Sequence, residues 1–321
     1  MSLSVNSVSW THGLDPDCKL RGFGKNVAHE AAAPKSAVRR PRAFLLISAA
    51  MKTATAQRQG GVFAHGRNRI AYDLLSECQI EQILDFGCGR GGVAVAAARG
   101  IAPTVHACDI DSALVEELDR RFGSEVNFFT VSDSTPSLPL SDGQLSAITC
   151  CDVLEHMPAG TRLLALREMH RVLADDGGLI ITVPHKSLLA APDPENVKVY
   201  FPRIHRLVYI MARGREAYES AYGGDQFGNF SAGAQKHEHF SRSDLTDLLQ
   251  STGFRVESVR YFGLIYPLIR TLLWAVEGLE RRVRLLGPLK EWLWRIYRWD
   301  SDVEPGRVGC FIAIRAAKAP R

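Results

Sequence analysis

The chain has 321 residues, 46% of them apolar and 23% charged, with a formal net charge of +4. That length suits one large α/β domain with insertions, and the mild charge, without a dense basic run, argues against nucleic acid as a partner. Seven cysteines, odd in number and lacking any C-x-x-C pair, argue against a zinc site or a disulfide framework and fit a reducing, cytoplasmic setting.

Residues 1–58 mix Gly, Ser, Ala and Pro with scattered Lys and Arg, without periodicity, and are expected to be a poorly ordered extension. The apolar run Ala43–Ile47 after Arg42 is too short and too far from the start for a signal peptide. The remainder, 59–321, is expected to be one domain.

Ile70, Leu74 and Leu75 lie at helical spacing between Arg67 and Cys78. Gln82–Phe86 is a short apolar run that reads as a buried strand. A helix is expected over Gly91–Arg99, a strand over Thr104–Cys108 and a helix over Ser112–Phe122, with Ser112 a candidate cap. Strands follow at Val126–Val131 and Leu145–Cys150. The helix Arg162–Leu173 is expected to stop at Asp175-Asp176-Gly177-Gly178, and Leu179–Val183 is a fifth strand. This alternation predicts a doubly wound, Rossmann-like, mostly parallel sheet with helices on both faces.

The rhythm breaks after Pro184. Residues 185–239 are long, mixed and rich in Gly, Tyr, Arg and His, as expected of a lid insertion. A helix from Ser241 to about Ser251 and a strand Phe254–Val259 restore the pattern. A second, helical insertion spans 264–308 before the last strand, Gly309–Ile314, bringing the expected sheet to seven strands. No run of about 18 apolar residues marks a transmembrane helix.

The most informative stretch is Asp85-Phe86-Gly87-Cys88-Gly89-Arg90-Gly91-Gly92. Glycines permit a sharp turn and a close approach of backbone to a ligand. The loop alone satisfies both G-x-G-x-x-G and G-x-G-x-G, so it does not identify the ligand. Asp109 ends the second strand, where a carboxylate can accept from ribose hydroxyls. Asp133 follows the third strand, where a carboxylate can accept from an adenine amino group, and Asp85 can meet a cationic amine. These acids suit a ligand with amino acid, ribose and adenine better than a pyrophosphate. Either Asp109 or Asp133 alone could simply cap a turn.

The text Ile83–Gly91, Cys108-Asp109-Ile110-Asp111, Leu138-Pro139-Leu140, Cys151–His156 and Glu168–Leu173, with Phe240-Ser241 and Gly253-Phe254 beyond, resembles the class I S-adenosylmethionine-dependent methyltransferases of the ubiquinone/menaquinone-type small-molecule group. The resemblance implies that Asp85, Gly87, Cys88, Gly89 and Gly91 hold the methionine end of that cofactor. It implies that Asp109 and Ile110 meet the ribose, that Ser132 and Asp133 flank the adenine, and that Cys151 and Asp152 lie by the sulfonium. The Asn/Asp-Pro-Pro-Tyr signature of adenine-N6 and glutamine methyltransferases is absent after the fourth strand.

His156 and His185 follow strands four and five and are the candidate catalytic bases; His237 and His239 are further candidates. Each could equally be a hydrogen-bonded histidine near the cofactor. Asp152, Glu155 and His156 also have a spacing that a metal could use, although no metal is expected. The expected acceptor is a small or lipid-like molecule, methylated on oxygen, nitrogen or carbon. A nicotinamide-dependent oxidoreductase would share the glycine loop but should lack Asp133 and the Glu155-His156 context. A non-catalytic module of the same fold often loses the loop and Asp109. Residues 264–299 carry two apolar helical stripes amid Arg, Lys and Trp, a pattern that suits a peripheral membrane contact, packing on the fold or a homo-oligomer contact.

Overall fold

The computed structural model describes residues 65–76, 78–190, 201–222, 238–280 and 286–320. The expected N-terminal extension, His237 and much of the first insertion lie outside them. The elements run α1 Gly66–Leu75, β1 Gln82–Phe86, α2 Gly92–Gly100, β2 Thr104–Asp109, α3 Ser112–Phe122, β3 Asn127–Thr130 and β4 Leu145–Cys151. Then follow α4 Ala159–Val172, β5 Leu173–Pro184, α5 Pro202–Arg213, α6 Arg215–Tyr222, α7 Arg242–Ser251, β6 Phe254–Phe262, α8 Tyr266–Glu280, α9 Gly287–Asp302 and β7 Phe311–Lys318.

The strands form one sheet in the order β3-β2-β1-β4-β5-β7-β6. Neighbours are parallel from β3 to β5, and β7 pairs antiparallel with both β5 and β6. β1 runs between β2 and β4, so the chain winds outward in opposite directions on its two sides. The crevice at the carboxyl ends of β1 and β4 is therefore the topological switch point, where such sheets bind ligands.

Apolar clusters cover both faces. Ile83 and Ala147 pack with Ile70, Leu74, Ala94 and Val95 of α1 and α2 on one face. Leu84 and Ile148 pack with Leu166 and Met169 of α4 and Leu245 and Leu249 of α7 on the other. Burial on both faces explains why the central strands read as unbroken apolar runs. A separate small cluster joins Ile269, Leu273 and Val276 of α8 to Leu293 of α9.

Local expectations are corrected in two places. Helix α3 is capped by Asp111, not Ser112: its side chain accepts from the Leu114 N–H at 3.1 Å. Both residues have capping chemistry, but only Asp111 sits in extended backbone before the first turn. Helix α4 ends at Val172, and β5 begins at Leu173 rather than Leu179. Leu173 pairs with Leu145, and an irregularity in the ladder then admits Ala174–Gly177 before Gly178 pairs with Ala147. Acids and glycines that read as a helix stop thus sit in a bulged strand.

Candidate active site

Three strand ends meet at the switch point. After β1 the chain turns through glycines in left-handed backbone, with φ of 74° at Gly87, 50° at Gly89 and 72° at Gly91. The N–H groups of Gly87 and Cys88 both donate to the Cys108 carbonyl at 2.9 Å, tying the loop to the end of β2. A Cβ on Gly87 would lie 2.4 Å from Val153 Cγ2, so this glycine also lets the loops after β1 and β4 nest together.

Asp109 organises the loop. Its Oδ2 accepts from the Gly89 N–H at 2.8 Å, and its Oδ1 accepts from Ile110 at 2.8 Å and Asp111 at 3.2 Å. An ionised carboxylate has about four lone-pair sites. One therefore remains for a ribose hydroxyl, and accepting from two hydroxyls requires the Gly89 bond to yield.

Asp85 is buried and accepts from Thr149 Oγ1 at 2.9 Å. Burial pushes its pKa up to about 6, with Thr149 and Arg67 working against that rise. An acid so desolvated is poised to gain from a cationic partner. The same carboxylate disfavours a pyrophosphate in this loop. Burial also raises the thiols of Cys88 and Cys108, and pushes Cys151 up to about 12, so these cysteines are protonated and act as apolar lining.

Asp152, one residue beyond β4, has φ 55°, the one positive φ at a non-glycine among the described residues. Asp tolerates this conformation better than most residues. It is pinned on both sides: Arg67 Nη1 of α1 bonds Oδ2, and Thr182 Oγ1 of β5 donates to Oδ1 at 3.0 Å. Burial works against the Arg67 charge, but the Asp152 carboxylate bonded to it outweighs burial and holds the guanidinium above its ordinary pKa. Tyr266 and Tyr297 pack in one apolar cluster with Cys151 at the end of β4, and their rings lie 5.7 Å apart. Burial raises both phenols, so they remain neutral donors. Helices α8 and α9 thus reach the strand-end crevice.

α9 is moored by charge at its end. Arg69 of α1 bonds Asp302 at 3.0 Å and Asp73 at 3.1 Å, and Arg260 of β6 bonds Asp73 and Glu304. Asp300 accepts from the Leu264 and Ile265 N–H groups at 2.9 Å, which seats the start of α8.

The expected cofactor residues Asp85, Gly87, Cys88, Gly89, Gly91, Asp109, Ile110, Cys151 and Asp152 therefore converge. Ser132 and Asp133 lie on an exposed bend after β3, directly beyond Val131, whose N–H donates to the Asp109 carbonyl at 3.0 Å; there Ser132 Oγ accepts from Ser134 at 3.3 Å and Thr135 at 3.2 Å. His156 is half-buried in the 3₁₀ turn Leu154–His156 after β4. His185 is buried at the same carboxyl edge but farther along it, by β7 and β6: its Nδ1 lies 2.9 Å from the Gly309 carbonyl and its ring 4.9 Å from that of Tyr261. A carbonyl can only accept, so Nδ1 is the protonated nitrogen.

Among the described residues no three His, Cys, Asp or Glu side chains converge as metal ligands. Asp152 turns to Arg67 and Thr182 instead. Sequence reasoning did not single out Arg67, Thr149, Thr182, Tyr266 or Tyr297. Two faint signals exist: Thr149 and Thr182 interrupt otherwise apolar central strands, and a buried hydroxyl needs a partner.

Residues 83–177 match a family model described as a methyltransferase domain. No curated protein matches the sequence. Among solved structures, the chain is similar to the Burkholderia thailandensis 1,6-didemethyltoxoflavin-N1-methyltransferase with bound 1,6-didemethyltoxoflavin and S-adenosylhomocysteine, at 13% identity and TM-score 0.46, covering 90% of this chain and 95% of that one. It is similar to an S-adenosylmethionine-dependent methyltransferase from Mesorhizobium loti at 15% identity and TM-score 0.44, covering 78% and 96%. It is also similar to the cyclase SpnF at 17% identity and TM-score 0.46, covering 86% and 93%. The methyltransferase-domain match lies across the glycine loop and the ends of β1, β2 and β4 and supports an enzyme that uses S-adenosylmethionine.

Proposed function

We propose that the enzyme methylates a nucleophilic oxygen, nitrogen or carbon of a small or lipid-like acceptor. The observation that carries this reading is the gathering of Asp85, Asp109 and Asp152 around one glycine loop, with Arg67 bonded to Asp152 and Tyr266 and Tyr297 packed by Cys151. When bound, the cofactor supplies an already activated methyl group. What the protein must add is position and dryness, which together can supply most of the acceleration.

Asp85 meets the amine of the cofactor's amino-acid end, and the backbone of Gly87–Gly91 admits its chain. Asp109 takes a ribose hydroxyl through its remaining acceptor site. Ser132 and Asp133 border the adenine at the outer edge. Arg67 and Asp152 neutralise each other and fix the loop after β4. The phenols of Tyr266 and Tyr297 are donors that can orient an acceptor's oxygen or nitrogen.

A base is needed only for an acceptor that must lose a proton. His156, on the loop that follows Asp152, is the better candidate. His185 is committed to Gly309 and braces β5 against β7 on the sheet face shared with Tyr261. The nicotinamide reading loses support from the topology, because the dinucleotide order 3-2-1-4-5-6 has no antiparallel strand inserted between its last two members.

The test is to incubate the protein with methyl-labelled S-adenosylmethionine and fractionated cell extract. Label entering the small-molecule or lipid fraction supports the proposal. Label confined to RNA or protein would overturn it.

A further inference from the structure

The insertions leave an apolar face that the cofactor site does not use. On α5, Ile204, Leu207 and Met211 recur at helical spacing and are 57%, 60% and 52% exposed. α8 packs against α5 and against the turn Leu188–Ala190. On these neighbours Leu268 and Leu188 are 58% and 88% exposed. Trp292 and Trp299 add exposed indoles on α9, which packs on α8. Apart from Leu164 and Val308, every strongly exposed large apolar side chain among the described residues belongs to this region. Single exposed leucines need no explanation, but a gathered set does.

The stripe in α8 divides. Ile269, Leu273 and Val276 are consumed by packing on Leu293 of α9, while Leu268 and Leu272 turn outward. The outward set is therefore not the inner core of the helical pair.

Charge identifies the occupant. Residues 201–215 carry four Arg and no acid, and residues 264–299 carry seven Lys or Arg against three Glu, with Arg281, Arg282 and Arg284 lying outside the described residues. Each run is thus net +4, equal to the formal charge of the whole chain, so the rest of the protein is on balance slightly acidic. Arg203, Arg295 and Arg298 are exposed on the same helices as the apolar side chains. Apolar side chains on helices that also carry exposed arginines and tryptophans match the layered chemistry of a lipid–water interface, with anionic headgroups outside and acyl chains within. Among the described residues no helix is long and apolar enough to cross a membrane, so contact by these helices is with the surface.

We propose that α5, α8 and α9 dock the enzyme on an anionic membrane surface. The docking is independent of which molecule is methylated. The test uses the full chain with phosphatidylcholine vesicles, with and without phosphatidylglycerol, read by co-sedimentation and by tryptophan emission. Binding to the anionic vesicles, weakened by salt and accompanied by a blue shift, is expected. Ile204→Glu with Leu207→Glu, and separately Arg203→Glu with Arg295→Glu, should each weaken that binding by about tenfold or more. Leu164→Glu, at an exposed apolar position on α4, should leave it intact. All three variants should retain S-adenosylhomocysteine affinity, which certifies the fold. Failure of the wild type to bind anionic vesicles would overturn the proposal, as would variants that bind as well as wild type. A concentration-dependent dimer abolished by the same substitutions, without vesicle binding, would assign the face to a second copy and also overturn it.

Discussion

The strand-end crevice and the helices of the two insertions use polar and apolar groups in opposite ways. In the crevice each charge has a short-range commitment: Asp109 to three backbone N–H groups, Asp152 to Arg67 and Thr182, Asp85 to Thr149. On α5, α8 and α9 the basic side chains Arg203, Arg295 and Arg298 stand exposed beside exposed Leu207, Leu268 and Trp292. The first arrangement suits one ligand of fixed shape, because preorganised groups lose little on binding. The second suits a broad, deformable partner. One scaffold can host both because the sheet fixes the strand ends, while the insertion helices bury one side, including Tyr209, Leu273 and Leu293, and leave others exposed.

The contrast can be broken most sharply at Asp109. Asp109→Ala removes the acceptor of three backbone donors and the ribose contact, so S-adenosylhomocysteine affinity by calorimetry should fall about a hundredfold or more. A fall of less than tenfold would mean that the crevice is no more preorganised than the helices.

Next in size is His156. For an acceptor that must lose a proton, His156→Ala should lower kcat about a hundredfold, with the acid limb of its pH profile lost. His185→Ala should lower stability but leave kcat within a few fold. Equal loss of kcat in both would return the base role to His185.

Asp85→Asn sharpens the cost of preorganisation. It should weaken S-adenosylhomocysteine by about tenfold, while raising the melting temperature of the empty protein at pH 8. The sign follows from linkage. The folded pKa of about 6 lies above the ordinary 3.8, so the stability owed to this group is present below pH 3.8 and is lost as pH rises through about 6. The advantage of Asn should therefore be full above pH 6 and vanish in acid. Wild-type ligand affinity should move the other way, falling as pH drops through about 6.

Arg67→Met should weaken the ligand only severalfold, because Thr182 still holds Asp152. The smallest effect lies at a helix end: Asp111→Ala should cost about 1 kcal/mol in a denaturant melt, and Ser112→Ala almost nothing.

What could be read from residues alone follows a physical division. The seven strands, the glycine loop and the placing of Asp85 and Asp109 at strand ends depend on local pattern and on order along one stretch. The partnership of Arg67 with Asp152 joins residues 85 apart in sequence, and periodicity holds no information about it. The β5 boundary was misread because an Asp-Asp-Gly-Gly run ends helices more often than it bulges a strand. The side of the sheet taken by His185 was available in principle: it alternates with Ile181 and Val183, which face α4 and α7 rather than Asp85. The division of the α8 stripe was not, since inward and outward leucines look alike until α9 is set against them.

The central claim is that the acids at the ends of β1 and β2, steadied by Asp152 after β4, grip one adenosine-bearing sulfonium cofactor. Calorimetric titration of the purified full chain at pH 8 with S-adenosylhomocysteine and with NAD tests it most directly. One-to-one binding of the former, abolished in Asp109→Ala, with no heat from NAD, is the expected result. A protein that ignores S-adenosylhomocysteine at millimolar concentration, or takes NAD in its stead, would contradict it.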